Sequence, residues 1–217
     1  MKKILVLLLC FPIILFGQGW TQTFQKPNTD CQGQSVQQTT DGGYIICGST
    51  DNYIYLIKTD VNGDSLWTKT FGTSWAYGNS VQQTTDGGYI IFGGTVSSGN
   101  EVMYLLKTDD NGIEQWSQIF GSNGGGLFVQ QTNDGGYIIT GSTNSPHECY
   151  LIKTDGNGVK QWDNTFGWIS SGASVQQTTD GGYIITGKSN GTDDATYLIK
   201  TDDNGIEQWN QTFGGGG

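Results

Sequence analysis

One unit of sequence recurs four times in this 217-residue chain, and it constrains the fold more than any other feature. In outline it reads VQQTTDGGYII, a variable stretch, then YLIKTDxNGxxxWxxTFG. The opening valines are Val36, Val81, Val129 and Val175, at periods of 45, 48 and 46 residues. Spacings inside the unit are fixed: eight residues from valine to the tyrosine of GGYII, twelve from the tyrosine of YLIK to tryptophan, four from tryptophan to phenylalanine. Trp20 and Phe24 repeat that last spacing near the start. Each unit divides into four short strands. Strand A is SVQQTT, alternating as a pleated strand does; strand B is GYII, apolar on both faces and so buried between layers; strand C is YLIK; strand D runs from Trp to Phe. DGG between A and B, and DxNG between C and D, supply residues that tolerate positive φ in tight hairpins.

This pattern predicts an all-β chain, a β-propeller of four-stranded antiparallel blades with one blade per unit. The predicted domain is 19–217, with repeats at about 36–72, 81–121, 129–167 and 175–214 and a lone strand at 20–25. A ring closed by a shared blade begins with strand D and ends after strand C. Here a fifth strand D, Trp209 to Phe213, is present as well. The expectation is four full blades plus one extra strand, an incomplete five-bladed or larger ring. The alternatives are four blades with a spare strand, or self-association of two chains through open blade edges.

Lys2 and Lys3, an apolar run from Ile4 to Phe16, and the small residues around Gly17 form the pattern of a secretory signal peptide, residues 1–18. Thirteen apolar residues are too few to span a ~30 Å hydrocarbon core as a helix. The chain is therefore expected to be secreted, extracellular or at the cell surface, with no membrane insertion after cleavage. Bulky leucines before Cys10 argue against its lipidation. The formal charge of −10 becomes −12 without Lys2 and Lys3, which excludes nucleic acid as a partner. Arginine is absent, and guanidinium-based phosphate or carboxylate recognition goes with it. Three cysteines remain after the signal. Cys47 and Cys149 lie in apolar strand patterns and are expected as buried hydrophobes, with a Cys31–Cys47 bridge as the alternative.

The pattern DGGYIIxG, YLIKTDxNG and WxxTFG, in tandem behind a signal peptide, resembles a family of secreted bacterial β-propeller repeat proteins, and more distantly the kelch propellers. The resemblance spans 19–217 and implies the fold. It implies secretion by the type IX route through a carboxy-terminal sorting domain, which the 217 residues do not contain. It brings no catalytic motif. TxDxG, at Asp41, Asp86, Asp134 and Asp180, also resembles the Asp-box of sialidase propellers, but the arginine triad of that family has no counterpart here.

Alternation of strands places the A–B and C–D turns on one face and the B–C and D–A loops on the other. The turns hardly differ among units. The B–C loops hold 6, 10, 8 and 9 residues between the strand-B glycine and the strand-C tyrosine. The D–A loops carry Trp75 and Tyr77, then Leu127 and Phe128, then Trp168. Variable, aromatic loops on a rigid scaffold point to a glycan- or protein-binding face around Trp75, Tyr77, His147 and Trp168. The competing reading packs those aromatics between blades. Trp67, Trp116, Trp162 and Trp209, one per strand D, are expected to fill blade interfaces. Lys58, Lys107, Lys153 and Lys200, beside Asp60, Asp109, Asp155 and Asp202, are expected as exposed or partly screened ion pairs.

No catalytic residue is singled out. One histidine gives no zinc set and no Ser-His-Asp centre, and His147, Glu148 and Cys149 alternate in direction if Cys149 begins a strand. No cofactor is expected. Calcium at the DxNG turns, such as Asp60, Asn62 and Asp64, lacks a twelfth-position glutamate, and hairpin chemistry accounts for Asn-Gly without an ion. The sequence therefore predicts a non-catalytic binding or structural module. The alternative is a propeller glycosidase or polysaccharide lyase with carboxylates at the channel mouth.

Overall fold

The computed structural model describes residues 21, 23–24, 30–73, 75–121, 124–143, 147–167, 169–189 and 195–214. The signal sequence with Cys10, the strand-opening Trp20 and the loop Trp168 lie outside them. Among the described residues all sixteen elements are strands, in four antiparallel four-stranded sheets. Blade 1 comprises β1 (Cys31–Gln38), β2 (Tyr44–Thr50), β3 (Tyr53–Thr59) and β4 (Ser65–Phe71). Blade 2 comprises β5 (Tyr77–Gln83), β6 (Tyr89–Ser97), β7 (Asn100–Thr108) and β8 (Glu114–Phe120). Blade 3 comprises β9 (Gly124–Gln131), β10 (Tyr137–Thr143), β11 (Cys149–Thr154) and β12 (Lys160–Phe166). Blade 4 comprises β13 (Ile169–Gln177), β14 (Tyr183–Ser189), β15 (Thr196–Thr201) and β16 (Glu207–Phe213). Each sheet runs A-B-C-D in chain order, and the A strands β1, β5, β9 and β13 pack beside one another. This is a β-propeller-like arrangement of blades.

Strand A is longer than the repeat alone indicates. It starts four to six residues before the valine, crossing a β-bulge, as between Gly33 and Ser35 or between Gly78 and Ser80. Tyr77, Leu127 and Phe128 therefore belong to β5 and β9, not to D–A loops. The strand-B glycine makes this possible. A Cβ on Gly93 would lie 1.9 Å from the carbonyl oxygen of Tyr77, and one on Gly48 would lie 1.8 Å from that of Gln32. Only glycine allows the two backbones so close.

The apolar cores lie between blades. Alternation in strand B sends Ile45 and Cys47 to one face of blade 1, and Tyr89 and Ile91 to the opposite face of blade 2; these sets meet in one cluster with Ile54, Leu56, Val81 and Leu106. Equivalent clusters join blades 2 and 3, and blades 3 and 4. Trp67, Trp116 and Trp162 each pack against the strand-B tyrosine of the next blade, Tyr89, Tyr137 and Tyr183, with centroids 5.9, 5.8 and 5.7 Å apart and ring planes about 60° to one another. Three of the four repeated tryptophans thus fill blade interfaces. Trp209, in the last blade, is 45% exposed.

The paired glutamines of VQQ complete each junction. The first side chain accepts the backbone N–H of the second glutamine in the next blade: Gln37 from Gln83 at 2.6 Å, Gln82 from Gln131 at 2.6 Å, Gln130 from Gln177 at 2.7 Å. The second returns the bond, accepting from Thr40, Thr85 and Asn133, each at 2.9 Å. A buried N–H left without its acceptor costs about 1–3 kcal/mol, so Gln82→Ala is expected to destabilise by about 1–2 kcal/mol in urea melts. Gln176→Ala, at the same register in blade 4, is expected to be near neutral, because Gln176 is exposed and accepts no hydrogen bond among the described residues.

None of Cys31, Cys47 and Cys149 forms a disulfide. Cys47 and Cys149 are buried as expected, and burial pushes their thiols up to about 12 and about 11. The Cys31–Cys47 bridge does not form. Register pairs Cys31 with Thr50 and Cys47 with Ser35, and the Cys31 thiol lies 3.2 Å from the Thr50 hydroxyl.

Candidate functional site

The face of invariant turns is built around a buried lysine in each blade. Lys58, Lys107, Lys153 and Lys200 are between 3 and 8% exposed, and their partners are not the neighbouring aspartates that sequence adjacency suggests. Each ammonium reaches across the sheet to the TTDGG aspartate: Lys58 to Asp41, Lys107 to Asp86, Lys153 to Asp134 and Lys200 to Asp180, at 2.8 to 2.9 Å. It also donates to the carbonyl of the next residue, as Lys107 does to Thr108 at 2.9 Å. The adjacent aspartates are engaged elsewhere. Asp60 Oδ1 accepts the N–H groups of Asn62 and Asp64, closing the C–D turn, and Asp109, Asp155 and Asp202 do the same in theirs.

Each TTDGG aspartate accepts three kinds of donor. Asp86 takes the hydroxyl of Thr84, the N–H of Gly88 and the ammonium of Lys107. Asp41 is lowered to about 2, chiefly by Lys58 and then Thr39; Asp180 is lowered to about 2 by Thr178 and then Lys200. Burial pushes Asp134 up, but hydrogen bonds from Lys153, Thr132 and Gly136 outweigh it and bring this carboxyl to about 2 as well. Among the described residues no cluster of histidine, cysteine, aspartate or glutamate could hold a metal ion.

The variable face carries Trp75, 64% exposed, with a backbone φ of 71°. Positive φ is an outlier for a bulky residue and is held only where its surroundings over-determine it. Here they do. The next residue, Ala76, is buried and donates its N–H to the Asn52 carbonyl at 2.7 Å, tying the D–A loop to the B–C turn of blade 1. Gly72, with φ 89°, lets the chain fold back until a Cβ there would touch that of Ala76. Trp75 is displayed between two fixed points. Beside it in sequence, Gly72 and Thr73 line an open groove of about 520 Å³ with Thr95, Val96, Ser97 and Tyr104.

The other predicted site residues divide. Tyr77 turns inward: it is half-buried, its hydroxyl donates to Glu101, and its ring lies where a side chain on Gly94 or Gly125 would stand. Its placement matches packing between blades. His147 is exposed in the B–C loop of blade 3. The signals missed in the sequence are Gly94, where other units have Ser49, Ser142 and Lys188, and Gly72, whose turn fixes Trp75.

No protein-family model matches the chain, and no curated protein matches it. Among solved structures, a protein of unknown function from Bacteroides caccae aligns with a TM-score of 0.43 and 12% identity, over 89% of this chain and 85% of that chain. The fold description rests on the strand order and register above.

Proposed function

We propose that this chain is a secreted or cell-surface propeller, related to the bacterial repeat proteins it resembles, that acts as a non-catalytic binding module for a glycan or protein. The observation that carries the reading is Trp75, exposed and held at positive φ on the face where the loops vary. An indole presented this way offers a flat apolar surface for a sugar ring or a partner side chain at little conformational cost. The repeated charges support the same reading. Asp41, Asp86, Asp134 and Asp180 are lowered and tied to buried lysines, whereas a glycosidase acid needs a raised carboxyl.

Glycan arrays and pull-downs with surface extracts test the proposal. Trp75→Ala is expected to weaken binding about tenfold, equivalent to about 1.4 kcal/mol, without lowering stability. Trp75→Gly is expected to weaken binding to the same degree while raising stability by about 1 kcal/mol, since glycine relieves the strain. Binding that survives both substitutions, or turnover of chromogenic glycosides, overturns the reading.

A further inference from the structure

The C–D turn of blade 3 departs from its siblings at one residue. Gly156 stands where blades 2 and 4 have Asp110 and Asp203. Those aspartates accept the side-chain amides of Asn111 and Asn204, at 2.7 and 2.8 Å. They also lie near the strand-B tyrosine of their own blade: burial first, then Asp41 with Asp110, or Asp134 with Asp203, pushes the Tyr89 and Tyr183 phenols up. Blade 3 has no carboxylate at that position, and the side chain of Asn157 beside it makes no hydrogen bond among the described residues. An open groove of about 420 Å³ lies here between blades 2 and 3, lined by Asp86, Gln115 and Trp116 from one and Tyr137, Gly156 and Asn157 from the other. Tyr137 is the decisive side chain. It is 1% exposed, yet its hydroxyl makes no hydrogen bond among the described residues. No fully buried polar side-chain atom among them lacks a partner, so this oxygen is reached from the groove. A phenol withdrawn from bulk water with no protein partner is unfavourable until something in the groove completes its hydrogen bond.

We propose that this groove binds one uncharged sugar ring, a neutral pyranose of a glycan, at the junction of blades 2 and 3 on the face of invariant turns. The lining selects that class. Asp86 and Lys107 are paired at 2.9 Å, so their charges cancel locally, and an anion or a cation would have to compete with that pair. The other polar groups both donate and accept, as sugar hydroxyls require. Gln115 Oε1 is taken by Lys107 at 3.0 Å, which leaves its –NH2 as the end that faces a ligand. The Asn157 amide and the Tyr137 hydroxyl offer both functions, and the Asp86 carboxylate, its side chain 57% exposed, accepts. Half-buried Trp116 supplies the apolar surface that the carbon face of a pyranose covers. Its ring is fixed by packing on Tyr137 and by Gly158, where a Cβ would stand 2.5 Å from it. The groove falls within the ~300–1,000 Å³ range of small-ligand sites. It lies on the face opposite Trp75 and does not depend on the binding assigned there. At the other two junctions Asp110 and Asp203 put a second carboxylate beside the tyrosine, so the site is specific to blade 3.

The test is an NMR titration of the isotope-labelled protein with methyl glycosides of glucose, galactose, mannose and N-acetylglucosamine up to about 100 mM, a range that reports millimolar Kd. The indole N–H of Trp116 and the side-chain amide of Asn157 report this groove, and the indole N–H of Trp75 reports the other face, so the two binding readings fail separately. At least one glycoside is expected to shift the Trp116 and Asn157 signals saturably. Gly156→Asp is expected to remove the saturable shift and to keep the wild-type melting temperature, because aspartate already occupies this position in blades 2 and 4 and Gly156 is not among the left-handed glycines. Tyr137→Phe removes the hydroxyl alone and is expected to weaken binding about three- to tenfold. A panel in which no glycoside moves the two signals overturns the proposal. So does binding that persists unchanged in either variant, or a saturable response to inorganic phosphate or putrescine in place of the glycosides.

Discussion

Replacing Gly136 with alanine is expected to destabilise the protein by about 3–4 kcal/mol, while the same change at Gly135, one residue earlier, costs about 1 kcal/mol. The two glycines of DGG serve different purposes. Gly135 has φ of 82°, and a Cβ there would meet nothing within 4 Å. Its penalty is backbone strain of about 1–2 kcal/mol, partly offset by the about 0.4–1 kcal/mol that alanine gains by restricting the unfolded chain. Gly136 is buried and is not among the left-handed glycines, yet a Cβ would stand 2.2 Å from the carbonyl oxygen of Thr154 and 2.6 Å from Lys153 Nζ. The carbonyl belongs to a paired strand and cannot retreat, and displacing the ammonium breaks its bond to Asp134. Urea melts of the two single variants measure the difference. Equal losses would mean that conformational freedom, not close approach, explains both glycines.

Asp86→Ala is expected to cost about 2–3 kcal/mol, and more than Lys107→Met, which removes the other member of the pair. The Lys107 side chain is 4% exposed and that of Asp86 57%. Removing the carboxylate leaves a buried ammonium with only the Thr108 carbonyl and Gln115 Oε1, at 2.9 and 3.0 Å. Stranding a buried charge costs about 3–5 kcal/mol, and water reaching the exposed side of the turn reduces that figure. Lys107→Met keeps the apolar stem in place and leaves an aspartate that water can solvate, for about 1 kcal/mol. The double variant is expected to recover part of the Asp86→Ala loss, which a double-mutant cycle measures.

The same pairs set the acid limit. Asp41, Asp134 and Asp180 fall from the ordinary 3.8 to about 2 in the folded protein. A depressed folded pKa contributes stability that is present above the unfolded value and lost as pH falls toward the folded one. Stability is therefore expected to hold down to about pH 4 and to decline between about pH 4 and pH 2. In Asp86→Ala that decline is expected to be shallower.

The blade architecture was legible because four copies of one pattern average out local ambiguity: DGG and NG mark turns wherever they occur, and fixed Trp-to-Phe spacing defines an edge strand. What escaped the sequence depends on contacts between elements. Adjacency suggested Lys107 with Asp109, but the lysine runs beneath the sheet to Asp86, and Asp109 spends its carboxylate on its own turn. The first halves of the A strands, CQGQ or YGNS, lack strand-like composition and pair only because a bulge and the strand-B glycine admit them. Tyr77 consequently passed for a loop residue. Trp75 was legible as an aromatic in a variable loop, whereas its left-handed backbone is fixed by Asn52, Gly72 and Ala76, which no local pattern reveals.

The apolar clusters straddle the boundaries of the sequence repeat, so the unit that is copied is not the unit that folds. Among the described residues the four repeats make three cores, each shared between two neighbouring blades. Stability then accrues per junction, in the manner of a one-dimensional chain of coupled sites. Blades 2 and 3 are held from both sides, whereas blades 1 and 4 each lean on one blade junction. The arc loosens from its ends inward, and any further junction stabilises the whole by converting an end into a middle.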